Sequence, residues 1–358
     1  MILSATQFTP PLIENSEAAV GRRCIQSLSS DPAFSSALGL EPASIVIVRA
    51  LQLGDLHCPV PALRSLRATL PRATITLIGL PWARDFVQRF DRYLDGFLEF
   101  PGYPGLVEQS PEIQRIPAFL EMVQRRHFDL ALQMHGSGGI SNPLTLLLGA
   151  RETAGFYVPG QFCPDERLFF PYPDQEPEIV RHLRLLQGLG ICMGETSLEF
   201  PIRGQDRLEL QPLLAEAGLR AGHYVCIHTG ARDGARRWPP ERFAAVGTML
   251  MRRGDQVVLA GSREEMDLVY AVAAALPQPP VIAAGRTSLG ALAALFASAR
   301  LVVCNDTGVS HLADAIGTPS VVIVSASDLV PWGRSTGVCT GSLLLKLGRG
   351  AASNSSRC

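Results

Sequence analysis

The chain has 358 residues, of which 47% are hydrophobic and 18% charged, and its formal net charge is -1. That length exceeds one typical core and points to two globular domains, while near neutrality without blocks of Lys and Arg excludes a bulk nucleic-acid binder. The eight cysteines are scattered with no C-x-x-C pair, so neither a zinc site nor a disulfide framework is expected, and Cys192, Cys226 and Cys304 read as reduced core thiols.

Lys346 is the single lysine, so the cationic side chains are nearly all arginine, which favours bidentate phosphate contacts. Met1 to Val20 lacks a basic start followed by an apolar stretch, and no segment reaches the length of a membrane span. A cytoplasmic, disulfide-free protein is expected, with peripheral contact to a membrane left open.

Residues 1–43 read as an N-terminal extension with one short helix near Glu17 to Leu28. Strand and helix then alternate: strands at Ser44-Ile-Val-Ile-Val-Arg-Ala, Thr74 to Gly79, Gly96 to Glu99, Phe128 to Gln133 and Glu152 to Tyr157, with helices at Pro61 to Leu70, Trp82 to Phe90, Ala118 to Arg126, Asn142 to Leu148 and Glu178 to Leu189. Strand, crossover helix, strand is the unit of a parallel sheet. One doubly wound domain is predicted over 44–200. Pro201, Gly204 and Pro212 mark 201–222 as a linker.

A second series follows over 223–334: strands at Tyr224 to His228, Gln256 to Ala260, Val281 to Ala283, Leu301 to Cys304 and Ser320 to Val324, separated by helices at Glu241 to Arg253, Arg263 to Ala275, Leu289 to Ser298 and Ser310 to Ile316. Two such domains in tandem face the C-terminal ends of their sheets across a cleft, where open α/β sheets bind ligands.

Three polar turns after apolar strands carry the chemistry. In Leu51-Gln-Leu-Gly-Asp-Leu-His-Cys-Pro, Gly54 allows close approach to a ligand and Asp55 stands at the cleft mouth, either as a proton acceptor or as a cap of the next helix. His57 reads as structural. In His228-Thr-Gly-Ala-Arg-Asp-Gly-Ala-Arg-Arg-Trp-Pro, the hydroxyl of Thr229, Gly230 and the arginines Arg232, Arg236 and Arg237 suit a diphosphate, or form a solvated basic loop over Trp238. The third turn runs from Asn305 into a helix stopped by Gly317 and Pro319. Its strand-turn-helix order makes an anion site with Asp306, Thr307, Gly308 and His311 around it, although a lone His there is often only a structural residue. No D-x-D pair occurs, so no divalent metal bridging a diphosphate is expected.

Taken together, Asn305-Asp-Thr-Gly-Val-Ser-His-Leu-Ala-Asp-Ala-Ile-Gly-Thr-Pro, Leu53-Gly-Asp-Leu, Gly230 through Arg236 to Trp238-Pro, Phe128-Asp-Leu-Ala-Leu-Gln-Met-His-Gly and Gly149-Ala-Arg-Glu-Thr-Ala-Gly-Phe resemble the heptosyltransferases of glycosyltransferase family nine. The resemblance covers roughly 44–334 in the family's order. It implies a GT-B fold of two Rossmann-like domains, an acceptor domain and a nucleotide-sugar donor domain. It further implies inverting transfer of heptose from ADP-heptose to an inner-core lipopolysaccharide acceptor, with no tightly bound cofactor. In the family, the aspartate matching Asp55 is the general base, and the basic residue two before Trp-Pro, here Arg236 where lysine is usual, contacts the donor phosphates. Asp306, Thr307, Gly308 and His311 match the donor-binding motif, and Glu264, or Glu265 one residue on, matches a glutamate near the nucleotide.

After Arg334 the resemblance stops. The Gly, Ser and Leu mixture over 335–358 is expected to be an atypical, disordered tail in place of a closing helix, which would weaken the coupling of the domains. The alternative to an active enzyme is therefore a noncatalytic member that binds a nucleotide or envelope-enzyme partners. A dinucleotide-dependent dehydrogenase is disfavoured, because neither first strand is followed by G-x-G-x-x-G.

Overall fold

The computed structural model describes residues 41–324 and the strand Ser342–Lys346. Its first strand, β1 (Ser44–Val48), is an apolar run whose Ile45, Val46, Ile47 and Val48 are all buried. A strand apolar on both faces needs helices on both sides of its sheet. These follow in order: α1 (Leu53–His57), α2 (Val60–Thr69), β2 (Thr74–Gly79), α3 (Ala83–Arg89), β3 (Gly96–Glu99), α4 (Ile116–Gln124), β4 (Leu130–Gln133), α5 (Ser141–Leu146), β5 (Glu152–Tyr157), β6 (Phe169–Pro171) and α6 (Glu178–Gly188). All pairings are parallel, in the order β3-β2-β1-β4-β5-β6.

The second half repeats the pattern with α7 (Gly204–Ala217), β7 (Tyr224–His228), α8 (Pro240–Arg252), β8 (Gln256–Ala260), α9 (Met266–Ala274), β9 (Val281–Ile282), α10 (Leu289–Ala297), β10 (Leu301–Asn305), α11 (Gly308–Ile316), β11 (Ser320–Val324) and β12 (Ser342–Lys346). Its parallel order β9-β8-β7-β10-β11-β12 is the same winding as the first sheet. In each sheet the order reverses between the first and fourth strands. Ligands of open α/β sheets bind outside the carboxyl ends of the strands at that switch point, which puts the loops after β1, β4, β7 and β10 in the decisive places.

Four features depart from the sequence reading. Leu53–His57, read as part of a turn, is a short helix. Most of 201–222, expected to be a linker, is the 14-residue helix α7, in which Pro212 is tolerated and Gly218 closes the C-terminus in the left-handed conformation. Strand β6 was not foreseen. Strand β12 lies inside the stretch expected to be a disordered tail and extends the second sheet beside β11. The helix expected near Glu17 to Leu28 and the Pro331 to Arg334 segment lie outside the described residues.

Arg89 at the end of α3 joins the two halves. It donates to both carboxylate oxygens of Asp206 in the first turn of α7 at 2.6 and 3.0 Å, donates to the Pro201 carbonyl at 2.8 Å, and lies 4.6 Å above the Phe200 ring. Apolar packing continues across this junction from Phe86 and Phe90 through Phe200 to Leu210 and Leu213. His57 is fully buried beside Phe86, Phe90 and Phe200, and burial pulls its imidazole down to about 3. That is the structural place expected of it. Among the described residues no helix is long and apolar enough to cross a membrane.

Candidate active site

The two switch points meet at a cleft of about 480 Å³. One wall comes from the loop after β1 and from α1, with Gln52, Gly54 and Asp55. The opposite wall carries Arg232, Asp233 and Arg236 after β7, and Asp306, Thr307, Gly308 and His311 after β10.

The domains touch where the facing residue on each side, Gly54 or Gly308, lacks a side chain. A Cβ on Gly54 would come within 3.0 Å of Gly308 Cα and 3.1 Å of His311 Cδ2, and one on Gly308 within 2.9 Å of Gly54 N. Two glycines facing one another therefore let α1 and the N-terminus of α11 approach at backbone distance. Thr307, the residue before α11, makes no side-chain cap, and its Oγ1 is buried with no hydrogen-bond partner among the described residues. The first N–H groups of α11 and this hydroxyl are set for an oxyanion in the cleft.

Asn305 ties the β7 loop to β10. Asn305, fully buried at the end of β10, donates through Nδ2 to the Thr229 carbonyl at 2.8 Å and the Gly230 carbonyl at 3.3 Å, and accepts at Oδ1 from the Trp238 N–H at 3.0 Å. Both ends of the arginine-bearing loop are thus fixed to the strand beside it. Arg237 folds back, its Nε donating to the Ala231 carbonyl at 2.8 Å, so Arg232 and Arg236 are the two that face the cleft. Thr229 and Gly230 lie behind them, both buried.

Of the two adjacent glutamates, Glu265 is the one that turns into the protein. Ser262 and Glu265 form a capping box in which the Ser262 N–H donates to Glu265 Oε2 at 2.8 Å. This turns Glu265 inward, 3.6 Å from His228 Nε2, and its carboxylate fills the space a Cβ on Gly230 would need. Glu264, the residue favoured from sequence, faces solvent instead. The register of the capping box sets which of the two adjacent glutamates turns inward.

Asp55 is half-buried on α1. Burial pushes its carboxyl above the usual range; Arg49 opposes this, Glu178 adds to it, and the Gln52 backbone and Arg236 lower it. A carboxylate with raised proton affinity, facing a wall of arginines and helix N–H groups, is suited to accept a proton while the opposite wall holds an anion.

Of the sequence-predicted residues, Gly54, Asp55, Arg232, Arg236, Asp306, Thr307, Gly308 and His311 are brought together in one cleft; Thr229 and Gly230 form its backing, and Glu264 is left outside. Sequence reasoning missed Gln52, Asp233, Asn305 and the buried Arg49. Asn305 had a signal, since it is the first residue of the Asn-Asp-Thr-Gly turn. Arg49 had one as well, a cation directly after a fully buried strand.

Two parallel-sheet α/β domains of like winding, facing each other across a polar cleft at their switch points, have the architecture of the GT-B fold. Residues 116–343 match the profile of glycosyltransferase family 9 (heptosyltransferase), and the chain belongs to that family. It is 34% identical to lipopolysaccharide heptosyltransferase 2 of Salmonella typhimurium over 305 residues, covering 80% of this chain and 84% of that one. With lipopolysaccharide heptosyltransferase 3 of Escherichia coli it shares 31% identity over 156 residues, 42% of this chain, and so spans less than half (45%) of that relative's length. Among solved structures, that of E. coli ADP-heptose lps heptosyltransferase II matches the fold with a TM-score of 0.65 at 19% identity, covering 86% of this chain and 91% of that one.

Proposed function

We propose that the chain is an inverting glycosyltransferase that transfers heptose from ADP-heptose to an inner-core lipopolysaccharide acceptor, with Asp55 as general base. The observation that carries this reading is the pairing of Asp55, its proton affinity raised by burial, with Arg236 and the α11 N-terminus across a single cleft. Family membership and the ADP-heptose named for the E. coli structural neighbour support the choice of donor.

In the proposed step the acceptor hydroxyl gives its proton to Asp55 while its oxygen forms a bond to the anomeric carbon. The bond from that carbon to the diphosphate oxygen breaks on the opposite face, and ADP leaves with the electron pair. Negative charge grows on the diphosphate as this bond lengthens. Arg232, Arg236 and the N–H groups of α11 lower the barrier to the extent that they fit that charge better than the bound substrate. Asp306, Thr307 and His311 hold the donor sugar and diphosphate, and Glu265 lies toward the nucleotide. Two arginines and a helix terminus take the role a divalent cation plays elsewhere, so chelation by EDTA leaves the rate unchanged in this reading. In this reading the enzyme works in the cytoplasm, at the face of the inner membrane that would carry the acceptor lipid.

The test is to incubate purified protein with ADP-heptose and truncated lipopolysaccharide acceptors and to follow ADP release and acceptor mass. Acceptor-dependent release with a heptose added to the acceptor is expected. ADP binding without transfer to any truncated core, or release independent of acceptor, contradicts the proposal.

A further inference from the structure

Arg49 follows β1 directly, and its side chain is 1% exposed. A buried guanidinium is costly unless its donors are used, and here they end on the back of the candidate base. Nε and Nη2 donate to the Asp55 carbonyl at 2.9 and 2.6 Å, Nη1 donates to the Met134 carbonyl just beyond β4, and Nη2 also reaches Glu178 Oε1 at 3.1 Å. Glu178, at the start of α6, is secured in turn. Its Oε2 accepts from Arg181 Nη1 at 2.9 Å, and Arg181 donates to the carbonyls of Pro173 and Asp174 and to the Tyr172 hydroxyl.

The helix carrying Asp55 has five residues and no side-chain cap, so it has little stability of its own. Its orientation must come from outside. Gly54 and Gly308 limit it on the cleft side, and the forked grip of Arg49 limits it from beneath, linking α1 to the end of β4 and to α6. We propose that Arg49 and Glu178 are positioning residues for proton transfer, Arg49 fixing the backbone of Asp55 and Glu178 fixing Arg49; the inference rests on Asp55 being the base.

The electrostatics are consistent with that geometry. Asp55 feels Arg49 after β1, Glu178 from α6 and Arg236 from the other domain, and shares the cleft with Arg232, Asp233, Asp306 and His311; Arg181 and His182 stand behind Glu178, His135 after β4 faces Glu108, Arg49 and Glu178, and His57 on the same helix is buried among Phe86, Phe90 and Phe200. Burial opposes ionisation of Glu178, but His182, Arg49 and Arg181 hold it well below its usual range, so it is an anion beside Asp55. Removing that anion leaves Arg49 to pull the Asp55 carboxyl down. The base works deprotonated and loses activity as pH falls through its pKa, so the acid limb then moves to lower pH.

The experiment measures kcat and KM against pH for Glu178→Gln and Arg49→Lys, using ADP-heptose and a truncated lipopolysaccharide acceptor, with ADP binding by calorimetry reporting the intact opposite domain. The expected result is a fall in kcat of about tenfold or more in both, with KM for ADP-heptose and Kd for ADP within about twofold. In Glu178→Gln the acid limb moves to lower pH, and Glu178→Asp recovers part of the rate. A pair that only held the fold together would lower thermal stability and leave these kinetic parameters unmoved. Folded, ADP-binding variants with wild-type kcat and an unmoved acid limb overturn the proposal. Should Glu178→Gln fail to bind ADP, Arg49→Lys decides, because wild-type kcat there overturns the proposal and a loss in kcat at constant donor KM supports it. Asp55→Asn run in parallel separates the two ideas. Full transfer by that variant removes the base assignment and this inference with it, whereas an inactive Asp55→Asn beside kinetically normal Glu178→Gln and Arg49→Lys removes the inference alone.

Discussion

Replacing Gly308 by alanine probes the backbone contact between the domains. Its Cβ would lie 2.9 Å from Gly54 N and 3.3 Å from Leu53 Cβ. Ordinary contact begins near 3.4 Å, so the faces of α1 and α11 must part by about 0.5 Å. The nearest atom is backbone, and no flexible side-chain end can give way. Such overpacking costs about 1 to 3 kcal/mol at the contact, and because the contact lies between domains the two walls can part to relieve it without unfolding either core. Catalysis is more sensitive. A displacement of about 1 Å in a reacting geometry can cost about a hundredfold, and half of that about tenfold. The expected outcome for Gly308→Ala is a melting temperature near wild type and a kcat reduced about tenfold in the ADP-release assay, with Gly54→Ala behaving alike. Wild-type kcat and donor KM in a folded Gly308→Ala would refute the view that this contact sets the distance between the two walls.

Asn305→Ala leaves the Trp238 N–H and the Thr229 carbonyl without their partner, at a cost of about 1 to 3 kcal/mol; ADP affinity measured by calorimetry should weaken by about tenfold or more as the arginine loop loosens. Glu265→Ala should raise the KM for ADP-heptose while Glu264→Ala leaves it unchanged, and the reverse order would restore the sequence-based choice. At the junction, burial raises the Asp206 carboxyl, but the hydrogen bonds from Arg89 and the Arg203 N–H win and hold it below its usual range. Its contribution to stability is present above the unfolded-state pKa of about 4 and is lost as pH falls through the lower folded value. Asp206→Asn should therefore cost about 2 to 3 kcal/mol at neutral pH, read by urea denaturation, and the difference from wild type should shrink in acid. Because burial raises the Asp55 carboxyl, the acid limb of wild-type kcat/KM should lie above the ordinary carboxylate range; a limb at or below about 4 contradicts that.

Most strands were legible because a parallel strand buried on both faces leaves an uninterrupted apolar run, as in Ile45 to Val48 and Tyr224 to Ile227. The cleft walls were legible for the same reason, since Asp55 and Asp306 are polar residues just beyond such runs. What could not be read were features set by distant partners. Leu53–His57 is a five-residue helix with no side-chain cap, braced by Arg49 on the Asp55 carbonyl and by Gly308 across the cleft, and α7 keeps Pro212 in a helix whose Leu210 and Leu213 are buried, so packing overrides a local breaker. Arg49 and Glu178 are 129 positions apart, and only the sheet order brings them together. Glu265 was within reach, because Ser262 three residues earlier marks a capping box that turns the second glutamate inward.

The central claim is that the proton is taken by Asp55 on one domain while the donor is held on the other. Single-turnover transfer from ADP-heptose to a truncated lipopolysaccharide acceptor, measured for wild type and Asp55→Asn alongside the Kd for ADP, tests it most directly. Loss of transfer by about a hundredfold or more with ADP affinity within about twofold of wild type is the predicted result. Equal transfer rates for the two proteins would contradict it.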